Sequence, residues 1–132
     1  MRALSIQQPW AWAILHAGKD IENRTWCTQI TGRILIHVGK KFDKDGYLWI
    51  KRNYEIDIPT NLPLGGIVGS VEIVNCVSYS SSKWFFGKYG FVLRNPIQLP
   101  FMSCCGQLRF FDVNYQNIKA EVAEQLCTTL PM

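Results

Sequence analysis

No two cysteines of this chain are spaced C-x-x-C. The five are Cys27, Cys76, Cys104, Cys105 and Cys127, an odd set with one adjacent pair. That argues against a disulfide framework or a tetrahedral zinc site, and predicts reduced, mostly buried thiols in a reducing cytoplasm. Long apolar runs are missing too. Near the N-terminus the longest covers only Pro9 to Leu15, with no basic leader or cleavage site. Neither a spanning helix nor a secretory signal is therefore expected, and no membrane partner is foreseen. Charge is sparse: charged residues make up 18%, and 14 Lys and Arg against 10 Asp and Glu give a net charge of +4. Such a balance suits a polyanionic partner but falls short of the signature of a duplex-binding domain. No repeat, low-complexity tract or linker interrupts the sequence, so residues 1–132 are expected to form one domain.

Aromatic residues, by contrast, are plentiful, with five Trp, five Tyr and seven Phe. Hydrophobic residues reach 48%, enough for a globular core without covalent staples. "RALSI" (Arg2 to Ile6) alternates and reads as a strand. Pro9 suits the first turn of a helix whose apolar face is Trp10, Ala13 and Ile14, and Gly18 stops it. "GRILIHVG" (Gly32 to Gly39) predicts a strand. Asp43 to Asn53 predicts a short helix with Asp43 as N-cap and Tyr47, Leu48 and Ile50 as apolar surface. "GIVGSVEIVNCV" is the strongest strand, with Gly69 marking a bulge or a close backbone approach. "YGFVLRNPIQL", stopped or bent at Pro96, and "GQLRFFDV" add further strands, and Ile118 to Leu126 a terminal helix. Five or six strands with short helices fit an α+β fold, a small mostly antiparallel β-barrel closing on itself.

The charge that exists is concentrated in "AGKDIENRTW" (Ala17 to Trp26), directly after an apolar helix. In an extended segment Asp20, Glu22, Arg24 and Trp26 share one face, and Ile21, Asn23 and Thr25 the other. Glu22 and Arg24 are then neighbours, and Lys19 meets Glu22 if it lies in the turn after Gly18. A lysine beside a carboxylate can anchor a phosphate, or act as a base if burial lowers its pKa. The plainer alternative is a lysine on the helix C-terminus beside an exposed ion pair.

These residues carry a resemblance. "LSIQQPWAWAILHAGKDIENRTW", followed by "GRILIHVGKK", "GGIVGSVEIVNCV", "WFFGKYGFVL" and "GQLRFFDV", resembles the ASCH domain family of the PUA-like fold over residues 2 to 113. The resemblance implies a small barrel with flanking helices and a cleft at Gly18-Lys19-x-x-Glu22-x-Arg24. It also implies nucleic-acid chemistry: relatives of the fold bind RNA or modified bases, and some ASCH domains cleave RNA or hydrolyse acetylcytidine. The family fixes the fold better than the activity.

Three functions follow. The first is binding of single-stranded RNA or a modified nucleotide or nucleoside, with Lys19 and Arg24 on phosphate or base edge. The alternative is a ribonuclease in which Lys19 stabilises developing charge and Glu22 or His37 moves protons. The third, an acetylcytidine amidohydrolase, is weakened because Glu22 stands where that pattern has a threonine nucleophile. The pattern's second carboxylate is also missing, since no Asp or Glu occurs between Val77 and Leu93. Whether the chain is an enzyme stays open; if it is one, it is a hydrolase, and no cofactor is implied, with a divalent metal left open. Further candidate contacts are Trp26, His37 (otherwise a core histidine), Lys40 beside Lys41, Tyr89 and Trp84. Trp84, in a loop beside Ser80 to Ser82, is the favoured stacking ring, whereas Trp10 is expected in the core. Glu72 is read as either solvated or a partner for a cleft lysine. Lys19→Ala is expected to weaken RNA binding and barely change stability.

Overall fold

The computed structural model describes residues 1–115; the helix expected at 118–126, and Cys127, lie outside them. The elements run β1 (Arg2–Ser5), α1 (Trp10–His16), β2 (Ile21–Arg24), β3 (Gly32–Val38), α2 (Lys44–Tyr54), β4 (Gly66–Val77), β5 (Tyr89–Ser103) and β6 (Phe110–Asp112). The six strands form one sheet in the order β2-β5-β4-β3-β1-β6. Only β1 and β3 pair in parallel; the other four pairings are antiparallel. The α+β class and the strand number are as expected.

Closure is not. The hydrogen-bond ladder stays open between its edges, β2 and β6, which are four and three residues long. Side chains fill the seam instead. The Trp26 ring meets Phe110 edge-on at 5.7 Å, and Arg24 Nη2 donates to the Ser5 carbonyl at 2.7 Å.

Local chemistry explains the elements that position this seam. Gly18 takes a φ of +75°, which ends α1 and brings the Lys19 N–H back to the Ala13 carbonyl at 3.1 Å. Asp43 caps α2 by accepting from the Gly46 N–H at 2.9 Å. Of the apolar surface expected on α2, Ile50 is buried but Leu48 is exposed, since it lies on the side turned from α1. Gly69 sits where the strand register shifts, and a Cβ there would lie 2.7 Å from both the Ile97 carbonyl and a Leu15 methyl. Both readings of that glycine hold. Pro96 bends β5 without stopping it. Between the Arg94–Glu72 and Ile97–Ser70 pairs β5 carries one residue more than β4, so the proline sits in a bulge where no ladder N–H is needed.

Burial follows the alternation of β3, which is covered on both faces. Ile34, Ile36 and Val38 pack with Leu4, Ile14, Val71 and Phe91, while Leu35 packs with Ala3, Ile67, Leu99 and Phe111. A third cluster joins Ala13 of α1, Ile50 of α2, Ile21, Ile58 and Trp84. The thiols depart from expectation: Cys27 and Cys105 are exposed, and Cys76 and Cys104 half-buried, although all four are free. They occupy loops and a strand end, where the sheet does not cover them. Among the described residues no helix is long and apolar enough to cross a membrane.

Candidate functional site

A cleft of about 880 Å3 opens between the first turns of the two helices and the β2 edge. At its floor is the charged segment. Lys19 Nζ donates to the Ile21 carbonyl and to Glu22 Oε1 at 3.0 Å. Arg24 Nε and Nη2 both reach Glu22 Oε2, at 3.1 and 2.9 Å. Glu22 is thus held between two cations, one through each oxygen. The expected Glu22–Arg24 and Lys19–Glu22 contacts are both present. Asp20 points elsewhere, accepting from Ser82 Oγ at 2.5 Å.

Burial changes the role of Lys19. Its side chain is only 2% exposed, and its ammonium also lies 5.8 Å from the centre of the Trp10 ring. Such a lysine is a fixed part of the floor, and removing it strands a buried carboxylate with half its partners. The expectation that Lys19→Ala leaves stability nearly unchanged is therefore corrected. Arg24, with 21% of its side chain exposed, is the cation the cleft can present. Its Nη1 has no acceptor among the described residues.

The walls are aromatic. Trp10, Trp49 and Phe86 line one side and Trp26 another. Trp10 and Trp49 lie 6.3 Å apart, tilted by 44°, and Phe86 meets Trp49 edge-on at 5.0 Å. Trp10, expected in the core, is half-buried at the cleft, fixed by an Nε1–H bond of 2.9 Å to Asp43. Its position depends on Gly46: a Cβ there would stand 2.7 Å from Trp10 Nε1. The lining holds two cationic side chains, Lys19 and Arg24, and three carboxylates, Glu22, Asp43 and Asp45. It is not a strongly basic surface.

Of the site residues expected from sequence, Lys19, Glu22, Arg24 and Trp26 come together here. Trp84 does not: it is 2% exposed, and its ring centre lies 4.3 Å from that of Tyr54. Ser82 makes the turn responsible, with its carbonyl accepting from the Phe85 N–H and its Oγ from the Trp84 N–H. The turn rolls Trp84 inward and leaves Phe86 at the surface. Asn23 then locks the loop, donating to the Trp84 carbonyl and accepting from the Phe86 N–H, each at 2.9 Å.

His37 is also outside the cleft. Its Nδ1 lies 2.6 Å from Ser5 Oγ and its Nε2 2.8 Å from the Cys104 carbonyl. The ring packs edge-on against Phe111 at 5.6 Å, so it is the core histidine of the two alternatives. Lys40 is exposed in the turn after β3, and Tyr89 is half-buried at the strand edge opposite Arg24; neither lines the cleft. Glu72 belongs to neither of its expected roles. It binds Arg94 at 2.9 Å and Asn95 at 3.2 Å, with Arg33 at 3.9 Å. Desolvation pushes its carboxyl up, but those hydrogen bonds and the charges of Arg94 and Arg33 outweigh this, leaving it below its usual pKa.

The walls missed in the sequence are Trp49, Phe86 and the Asp43–Gly46 turn. One signal was available: Asp45 and Trp49 are spaced i, i+4, and the glycine between them costs a helix interior stability unless packing requires it. Among the described residues no group of three or more His, Cys, Asp or Glu is placed to hold a metal ion.

Residues 4–128 match the model of the ASCH domain, and the chain belongs to that family. It is similar to activating signal cointegrator 1 of Homo sapiens and of Mus musculus. Each is 25% identical over 111 residues, covering 73% of this chain and 19% of the relative. The chain thus spans about a fifth of the length of the curated relatives it matches.

Proposed function

We propose that this ASCH domain binds a single-stranded RNA base or a nucleotide in the aromatic cleft. The observation that carries the reading is the pairing of four aromatic walls, Trp10, Trp26, Trp49 and Phe86, with a floor that presents Arg24. Flat rings hold an unstacked base, worth ~1–3 kcal/mol per base, without requiring one sequence. A guanidinium with a free edge meets phosphate or base oxygens. Because carboxylates outnumber cations in the lining, stacking rather than counterion release supplies most of the affinity. A splayed-out base fits such a pocket better than a duplex does.

Binding is favoured over hydrolysis by the placement of the three residues a ribonuclease would use. His37 does not line the cleft and is engaged at both ring nitrogens, the Lys19 ammonium is occupied by Ile21 and Glu22, and Glu22 is held by Lys19 and Arg24 through both oxygens. The test is a titration of tryptophan emission with nucleoside monophosphates and a short single-stranded RNA, with the RNA then recovered and sized on a gel. Quenching with intact RNA is expected. Shortened RNA would move the assignment to a ribonuclease, and no quenching by any of these ligands would remove the nucleotide reading.

A further inference from the structure

Cys27 and Cys76 are far apart in sequence, yet their sulfurs lie 3.1 Å apart, the Cys27 thiol donating to Cys76 Sγ. Cys27 sits in the loop just after β2 and is exposed; Cys76 is half-buried near the end of β4. Neither takes part in the cleft's floor, and the proposed nucleotide binding does not use them. We propose that this pair is a thiol-oxidation site that reduces a hydroperoxide and closes to a reversible Cys27–Cys76 disulfide.

The chemistry divides between the two thiols. Exposed Cys27 is the one a hydroperoxide reaches, and its thiolate attacks the peroxide oxygen. The O–O bond breaks, and the departing alkoxide takes up the proton that Cys27 gave. Cys27 is left as a sulfenic acid. Burial, the largest cause, raises the Cys76 thiol above its ordinary value, which favours its protonated form. Cys76 sulfur then attacks Cys27 sulfur, the S–O bond breaks, and the hydroxyl leaves with the Cys76 proton as water. In sum two thiols are oxidised to one disulfide, and one hydroperoxide is reduced to an alcohol and water. A thiol reductant reverses the step by exchange.

Position gives the site a structural consequence. Cys27 follows Trp26 directly, and the register partner of Cys76 is Phe91, the ring that Trp26 meets edge-on at 5.2 Å. The crosslink would tie the Trp26 segment to the end of β4 and close a long loop of the unfolded chain, which raises thermal stability.

The test treats the reduced full chain with hydrogen peroxide and maps its thiols by mass spectrometry without reduction, with thermal melts alongside. The expected result is a Cys27–Cys76 crosslinked peptide, a mass lower by two hydrogens, and a raised Tm that dithiothreitol reverses. Cys27→Ser, at an exposed position, should fold normally and lose the crosslink. Cys76→Ser should instead trap Cys27 as a sulfenic acid that a dimedone probe labels. Crosslinks mainly through Cys104, Cys105 or Cys127, or between chains, would overturn the assignment. So would direct overoxidation of Cys27 in the wild type with no disulfide. None of these readouts depends on what the cleft binds.

Discussion

Lys19 is the residue whose removal separates packing from recognition. It is 3% exposed and contributes one of the two cations that hold Glu22. Breaking a buried pair by removing one partner costs ~3–5 kcal/mol. Lys19→Ala should therefore lower Tm strongly, as a melt against wild type would show, and any loss of RNA affinity would be secondary to that damage. Glu72 makes a second residue-scale prediction. Its folded pKa is depressed, so its stabilisation is present above the unfolded value of about 4.3 and lost as pH falls through the folded pKa. Glu72→Gln removes that contribution. Melts across the acid range should show the gap between wild type and Glu72→Gln widest near neutrality and closing below about pH 4.3.

At the scale of elements, the cleft depends on how closely α1 and α2 approach. Gly46 lets the Trp10 ring lie on α2, and any Cβ there meets Asp43 Oδ2 and Trp10 Nε1 at 2.7 Å. Alanine would improve helix propensity by ~0.5–1 kcal/mol, whereas overpacking costs ~1–3 kcal/mol. Gly46→Ala should thus destabilise the fold despite a better helix, and should weaken ligand binding by displacing Trp10; denaturant melts and a titration check both. The same elements show where the sequence was legible. Gly18, the Asp43 cap, the Gly32–Val38 strand and the Lys19–Glu22–Arg24 spacing all act through local geometry, and each was readable from neighbouring residues. Trp84 and Phe86 were not. Which of two nearby rings turns inward is decided not by the local Ser82 turn alone but also by Asn23 and Tyr54, both distant in sequence. The open seam was hidden for a similar reason, since the rings that fill it, Trp26 and Phe110, come from distant segments.

On the scale of the whole molecule, the net charge of +4 does not reside in the cleft. The lining pairs three carboxylates with two cations, so affinity for single-stranded RNA should fall only shallowly with salt. A steep salt slope would place the phosphate contacts elsewhere on the surface. The most direct measurement compares the affinity of wild type and Phe86→Ala for a short single-stranded RNA. Phe86 is 47% exposed and its edge packs on Trp49, so its loss should leave Tm almost unchanged. If bases stack in the cleft, Kd should rise about 5- to 150-fold, the equivalent of ~1–3 kcal/mol. Equal affinities for the two proteins, with wild type binding, would contradict recognition through these aromatic walls.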